Sequence, residues 1–299
     1  MFEQVSIIGC GLIGSSVFRA LKKSNLVKKV ITFDNNKTVT EIIKKENLSD
    51  KIVSSPKEAV SNSDLVLIST PISRFESAVL SIKDHLKPGS ILTDTSSVKK
   101  SPNEIVKKIK LNNVSWIPSH PVAGTEKSGP MAGFPELFQN RWTILSPDSD
   151  VKKEDIKKIS DFWESIGSKV KIMSITEHDQ ILSLTSHLPH VIAYNIVKTS
   201  MSNEDKQKND IIRFSAGGLR DFTRIAASDP IMWKDIFINN SELIIGAIDK
   251  FVKNLTEFKN AIADKDSKKL LDIFEKSKEF RKAIIKAGQD TNKPDFGRK

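Results

Sequence analysis

Three glycines in a Gly9-x-Gly11-x-x-Gly14 run separate a short apolar stretch at residues 5–8 from an amphipathic segment carrying Val17, Ala20 and Leu21 on one face. No other feature of the chain restricts its fold as much. Gly9 permits the tight turn, Gly11 lets the main chain approach a pyrophosphate, and Gly14 lets strand and helix pack closely. The first N–H groups of the helix, at Leu12 and Ile13, then offer oriented donors to an anion. A second strand expected at 30–33 ends in Asp34. That is the spacing at which a carboxylate accepts hydrogen bonds from the adenosine ribose. A carboxylate there repels a 2′-phosphate, and Asn35, Asn36 and Lys37 bring no arginine. NAD is therefore expected over NADP, the competing role for Asp34 being a helix N-cap. Cys10 reads as a small filler of the turn.

Apolar runs at 65–69 and 91–94 alternate with amphipathic helices, which indicates βαβ units and a Rossmann-type, doubly wound, mainly parallel sheet. Ligands of such sheets bind beyond the carboxyl ends of the strands, so Thr70, Pro71 and the Asp94–Lys99 loop should face the cofactor. Ser97 is a candidate to bond a substrate hydroxyl or to orient a base; its alternative is to cap the helix starting near Ser101. His120 follows the apolar Val114, Trp116 and Ile117, and lies between Pro118 and Pro121, with Gly124 beyond. Proline restricts the backbone and removes a donor, which predicts a rigid loop holding an imidazole able to exchange a proton near neutrality. The stretch 141–145, an amphipathic helix (Ile156, Ile159, Phe162, Trp163, Ile166) and a strand at 170–172 complete a dinucleotide-binding domain, residues 1–173.

Residues 174–299 carry little strand signal and are expected to form an all-α domain. Apolar positions at helical spacing over 181–197, 231–251 and 255–287 serve the core or a subunit interface. The last dozen residues are polar and should fray. His187 and His190 fall on neighbouring positions of one helix face. No third ligand stands at motif spacing, so no metal site is expected. His190 suits the neighbourhood of an anionic substrate, while burial and function remain open for His187. Gly217-Gly218 suggests a backbone that turns sharply or passes close to another group, and Arg220 and Arg224 follow among apolar residues. Asp221 or Asp229 can pair Arg220 internally; the guanidinium fork of Arg224 suits a ligand carboxylate.

Composition narrows the class. A chain of 299 residues has room for about two domains. The net charge of +10 is dispersed in lysine pairs along the chain, as on solvated helix faces, with some attraction for anions. There is one Tyr and no basic block interleaved with aromatics, so nucleic-acid binding is not expected. The single Cys10 excludes an intramolecular disulfide. No apolar run approaches ~18 residues, and no signal-peptide pattern opens the chain. A soluble, cytoplasmic protein without membrane contact is the expectation.

Taken together, these motifs resemble the prephenate/arogenate dehydrogenase family of tyrosine biosynthesis, from Val5 to about Asn240. The resemblance rests on Gly9-x-Gly11-x-x-Gly14, Asp94-x-x-Ser97-Val-Lys99, Ser119-His120-Pro-x-Ala-Gly-Thr-Glu126, Ser186-His-Leu-Pro-His190 and the run from Gly217 through Arg224 and Pro230 to Trp233. It implies NAD-dependent oxidative decarboxylation of prephenate to 4-hydroxyphenylpyruvate by a homodimer. His120 would take the ring hydroxyl proton, and Ser97 would help fix His120 and the nicotinamide. Arg224 would hold a substrate carboxylate, with His190 near the side chain. Glu126 would be a gating ionic partner, and Trp233 a wall near a subunit boundary. The resemblance includes neither a preceding mutase segment nor much chain for a regulatory domain, so any control by tyrosine should act within this core. Prephenate against arogenate stays open. A β-hydroxyacid dehydrogenase shares the architecture but would use a second-domain lysine for which no motif is found, and an NAD-sensing scaffold would lack turnover.

Overall fold

The computed structural model describes residues 2–201 and 205–288; of the polar last dozen, all but Gly288 lie outside the described residues. Nine strands occur in two sheets among them: β1 Gln4–Ile8, β2 Lys29–Phe33, β3 Lys51–Ile52, β4 Leu65–Ile68, β5 Ile91–Asp94, β6 Ser115–Ile117, β7 Ser119–Pro121, β8 Trp142–Leu145 and β9 Lys169–Ile172. The first six form one parallel sheet in the order β3-β2-β1-β4-β5-β6. The order reverses between β1 and β4, and a crevice opens outside the carboxyl ends of the strands at such a point.

Alternate residues of the central strands supply two separate cores. Val5, Ile7, Leu65 and Leu67 pack with Val17, Leu21, Phe162 and Trp163 of the helices Leu12–Ser24 and Lys153–Ser165. Ile8, Val66 and Ile68 point the other way, onto Phe75, Val79 and Ile82 of Ile72–Ile82 and Val106 of Lys100–Ile109. Side chains alternate faces along a strand, so a strand covered on both sides is apolar at every position rather than every second one.

Three local expectations are corrected. His120 does not sit in a loop. Pro118 follows the last residue of β6, and the chain re-forms as β7 in a second sheet, ordered β7-β8-β9, antiparallel to β8 with His120 opposite Ile144. Proline tolerates such edges, having no N–H to give to a ladder, and the Pro118 carbonyl still accepts from Ser146 N at 2.9 Å. The helix expected over 181–197 is interrupted. An α-helix, Ile175–Leu182, passes through a π turn, Ser183–His187, into Leu188–Met201. Leu188 N donates to Ser183 O, and Pro189, with no N–H, cannot continue the α-type ladder just after it. Gly217 and Gly218 open a short helix, Gly217–Thr223, instead of a sharp turn, and neither has positive φ.

By contacts, the chain up to Val197 together with Thr223–Ile244 forms one compact unit, and Lys198–Phe222 with the chain from Ile245 forms another. The segments 174–197 and 223–244 thus belong to the same compact unit as the parallel sheet. In the second unit, Phe258 and Phe274 meet edge to face at 5.9 Å, joining the helices Ser241–Ala263 and Ser267–Lys286. Leu255, Ile262, Leu271 and Phe280 of these helices are exposed. Among the described residues, no helix is long and apolar enough to cross a membrane.

Candidate active site

The glycine turn is closely packed at two of its glycines and open at the third. Gly9 has φ +93°, and a Cβ on it would lie 2.6 Å from the Ser69 carbonyl oxygen. A Cβ on Gly14 would lie 2.2 Å from the Gly9 carbonyl oxygen, whereas one on Gly11 meets nothing within 4 Å. Gly11 therefore borders open space, at the N-terminus of a helix with no side-chain cap and no acidic residue in its first turn. Asp34, at the end of β2, accepts Cys10 N at 2.9 Å and Asn36 N at 2.9 Å. The N-cap of the next helix is Asn36, so Asp34 does not serve as that cap. Thr70 follows β4, its hydroxyl oxygen buried without a partner and its methyl carbon beside Gly9. Pro71 is the N-cap of Ile72–Ile82. A buried hydroxyl in want of a partner, a carboxylate held at the strand end and an open anion cradle fit a dinucleotide. Burial, then the Asp34 charge, pushes the Cys10 thiol up to about 12, so it stays a thiol and fills space.

These glycines separate packing from binding. Gly14→Ala should overpack the turn and cost about 1–3 kcal/mol or more of stability. Gly11→Ala should leave thermal stability unchanged and weaken nucleotide binding by roughly 10–200-fold, as an added methylene does in a fitted pocket. Melting curves with and without nucleotide check both; a Gly11→Ala protein that binds as the parent does would remove the cradle from this turn.

Beyond β5, a buried ion pair fixes the strand that carries His120. Lys99 and Asp94 are both 0% exposed, with Lys99 Nζ 2.6 Å from Asp94 Oδ2. Lys99 Nζ also donates to Ser119 O at 2.6 Å, and Asp94 Oδ1 accepts Ser119 N at 3.0 Å. Removing one partner of such a pair leaves a buried charge, which costs far more than the pair is worth. Local geometry at His120 thus depends on groups more than twenty residues earlier.

His120 is buried, and its Nδ1 lies 2.8 Å from Nε2 of His178. His178 Nδ1 lies 2.7 Å from Asp179 Oδ1. Asp179 in turn accepts Lys99 N (2.9 Å) and Lys100 N (3.0 Å), capping Lys100–Ile109 from a distant helix. Ser97 makes no hydrogen bond to His120, and neither caps that helix nor lies deeply buried; His178 and Asp179 take both places. Burial pushes the His120 imidazole well below its usual 6.5, and the nearby His178, Lys99 and His187 push it the same way. These effects all favour the neutral form of His120. His178 is lowered by burial against the opposing Asp179. Burial pushes the Asp179 carboxyl up, but the His178 contact and the two main-chain N–H groups bring it below the usual range.

The remaining candidates fall into two pairs. His190 stacks on Trp233 with ring centroids 3.4 Å apart, and Trp233 is buried with Ile72, Val98 and Ile236. That cluster joins the residue after Pro71 to the residue after Ser97. His190 Nδ1 donates to Ser186 O at 3.0 Å. Burial lowers its pKa, and Arg224 adds to this against the Ser186 bond, so its Nε2 is bare near neutrality. Arg224 Nη1 lies 3.5 Å from Glu126 Oε2, the side chains 63% and 36% exposed. His187 is buried, 3.1 Å from Asn240 Nδ2, with burial pushing it down to about 4. Arg220 lies 3.5 Å from Asp221. His178 and Asp179 were missed from sequence; the only local signal is a His-Asp pair in a helix opened by the Ser174/Glu177 capping box.

The family description "prephenate dehydrogenase, nucleotide-binding domain" matches residues 17–172, and "prephenate dehydrogenase, dimerization domain" matches residues 174–276. The chain belongs to the prephenate dehydrogenase family. A cyclohexadienyl dehydrogenase of Zymomonas mobilis is 40% identical over 286 residues, 95% of this chain and 97% of that protein. A prephenate dehydrogenase of Bacillus subtilis is 28% identical, over 95% of this chain and 76% of its own length. The crystal structure of Aquifex aeolicus prephenate dehydrogenase, in complex with hydroxyphenyl propionate and NAD+, superposes with a TM-score of 0.87 at 30% identity, covering 95% of this chain and 99% of that one. This family member is an enzyme of the prephenate/cyclohexadienyl dehydrogenase type, with a nucleotide-binding domain and a dimerization domain.

Proposed function

We propose that this prephenate dehydrogenase family member converts prephenate to 4-hydroxyphenylpyruvate with NAD, as a homodimer, its nucleotide-binding part ending near residue 173. The observation that carries the reading is a buried His120 bonded through His178 to Asp179, in a chain whose glycine turn leaves open space at a helix N-terminus. NAD, when bound, accepts the hydride from the ring carbon. His120 Nε2 takes the ring hydroxyl proton as the carbonyl develops, and returns it to the phenolate oxygen once carbon dioxide has left. Aromaticity drives that loss, so the chain mainly positions groups and stabilises charge. Arg224 turns from Glu126 to a substrate carboxylate, and His190 on Trp233 lines the side-chain end. Ser97, on the loop beyond β5, is left to bond the substrate hydroxyl or the nicotinamide. The backbone of Gly9, Gly11, Leu12, Ile13 and Gly14 holds the pyrophosphate, and Thr70 and Pro71 border it.

A second reading, that arogenate is also accepted, has two supports. One is the 40% identical cyclohexadienyl dehydrogenase. The other is the bare His190 Nε2, which accepts from an ammonium but has no proton for a keto oxygen. NADH formation with prephenate, arogenate and a panel of hydroxyacids tests both readings; turnover of hydroxyacids alone would overturn them. Asp34 makes a separate prediction. NAD should be strongly preferred to NADP, and Asp34→Asn should weaken NAD use while relaxing the discrimination. Equal efficiency of the unmodified enzyme with the two cofactors would contradict the role of Asp34.

A further inference from the structure

We propose that His178 and Asp179 are positioning residues that set the tautomer of His120, holding the proton on Nδ1 and leaving Nε2 bare for the substrate hydroxyl. This rests on the reading of His120 as the base. The argument runs outward from the carboxylate. Asp179 accepts two main-chain N–H groups, Lys99 N and Lys100 N, and a third bond from His178. An ionised carboxylate only accepts, so His178 Nδ1 carries the proton and its Nε2 is bare. Across the 2.8 Å contact, that bare nitrogen must receive a proton from His120 Nδ1. His120 Nε2 is then the lone pair left over, and it makes no hydrogen bond within the described chain.

The same chain of contacts answers an electrostatic problem. Lys99 from the loop after β5 and His187 from the π turn both oppose positive charge on His120, while Asp94 pairs with Lys99. When His120 Nε2 takes the hydroxyl proton, the resulting imidazolium is hydrogen-bonded through neutral His178 to the Asp179 anion. No proton has to leave the site, and the charge is offset where burial would otherwise forbid it. This is the logic by which a carboxylate orients an imidazole and stabilises its charged form in hydrolytic triads, with a second imidazole inserted.

The competing role is plain support of the Lys100–Ile109 helix, and nitrogen NMR of the full-length enzyme separates the two. In the unmodified protein, above its acid limb, His120 should show a protonated Nδ1 and a bare Nε2. Asp179→Asn, whose amide can donate to His178, should move the His120 proton toward Nε2 and lower kcat by roughly 10²–10⁴-fold, as a wrong tautomer does. KM and nucleotide affinity should hold. His178→Gln, which keeps an acceptor for His120 Nδ1, should retain more kcat than His178→Leu, which does not. A proton on Nε2 in the unmodified enzyme overturns the proposal, as does an Asp179→Asn protein with lowered melting temperature but parental kcat and tautomer. If Asp179→Asn does not fold, the unmodified spectrum and the two His178 variants decide. Failure of the base reading looks different: His120→Asn would keep its turnover, while the tautomer, read without substrate, would stand.

Discussion

His120→Asn is expected to fold, to bind the nucleotide as the unmodified enzyme does, and to lose turnover by roughly 10²–10⁴-fold, the usual worth of a general base. The asparagine keeps a hydrogen-bonding side chain and removes only the proton acceptor. The pH profile gives the sharper test. A base must be neutral, so kcat falls as pH drops through the pKa of His120. Sequence alone places that limb near the ordinary imidazole value of 6.5. Burial, helped by His178, Lys99 and His187, holds the group well below it, so the enzyme should stay active to lower pH than a solvated histidine would allow. In the variant, the limb should vanish from whatever activity remains. Near-parental turnover, or an unchanged acid limb, would take the base role away from His120.

Arg224→Ala should lose on the order of 2–5 kcal/mol in kcat/KM, the range found when one partner of a desolvated charge pair is truncated. Arg224→Lys keeps the charge but not the planar fork, and should act mainly by raising KM. Neither substitution should shift the melting temperature much. The guanidinium is 63% exposed and meets Glu126 only at 3.5 Å, and exposed pairs of this kind contribute about 0–1 kcal/mol. An Arg224→Ala protein that unfolds while binding substrate normally would make the Glu126 contact a structural salt bridge instead.

Much of the architecture could be read without coordinates because it depends on local physics. A turn that needs positive φ at Gly9 and no side chain at Gly14, a helix that starts there, and strands apolar on both faces leave few alternatives to a doubly wound parallel sheet. The same holds for Asp34, one strand later, and for the apolar spacing of the helices beyond residue 174. These are statements about neighbours in the chain, and periodicity of two or of 3.6 residues records them.

His120 is different. Its place after an apolar run is visible in the sequence, yet the burial and the partners that suit it to the proposed role of base come from elsewhere. His178 is 58 residues away, and the Asp179 contacts to Lys99 and Lys100 span 80 and 79 residues. A serine three residues past Asp94 looks like the natural partner for that imidazole; the packing of the helix Ile175–Leu182 supplies a histidine instead. Pro118 shows the same limit on a smaller scale. Proline announces a break but not that the chain will re-form in another sheet, since that depends on β8 being there to pair. The sequence by itself determined the cradle, the sheet and the residue types available for chemistry, because each follows from steric limits and periodicity within a short stretch. Only the tertiary structure decided the burial and the hydrogen-bond partners of His120, because both depend on which distant groups are packed together.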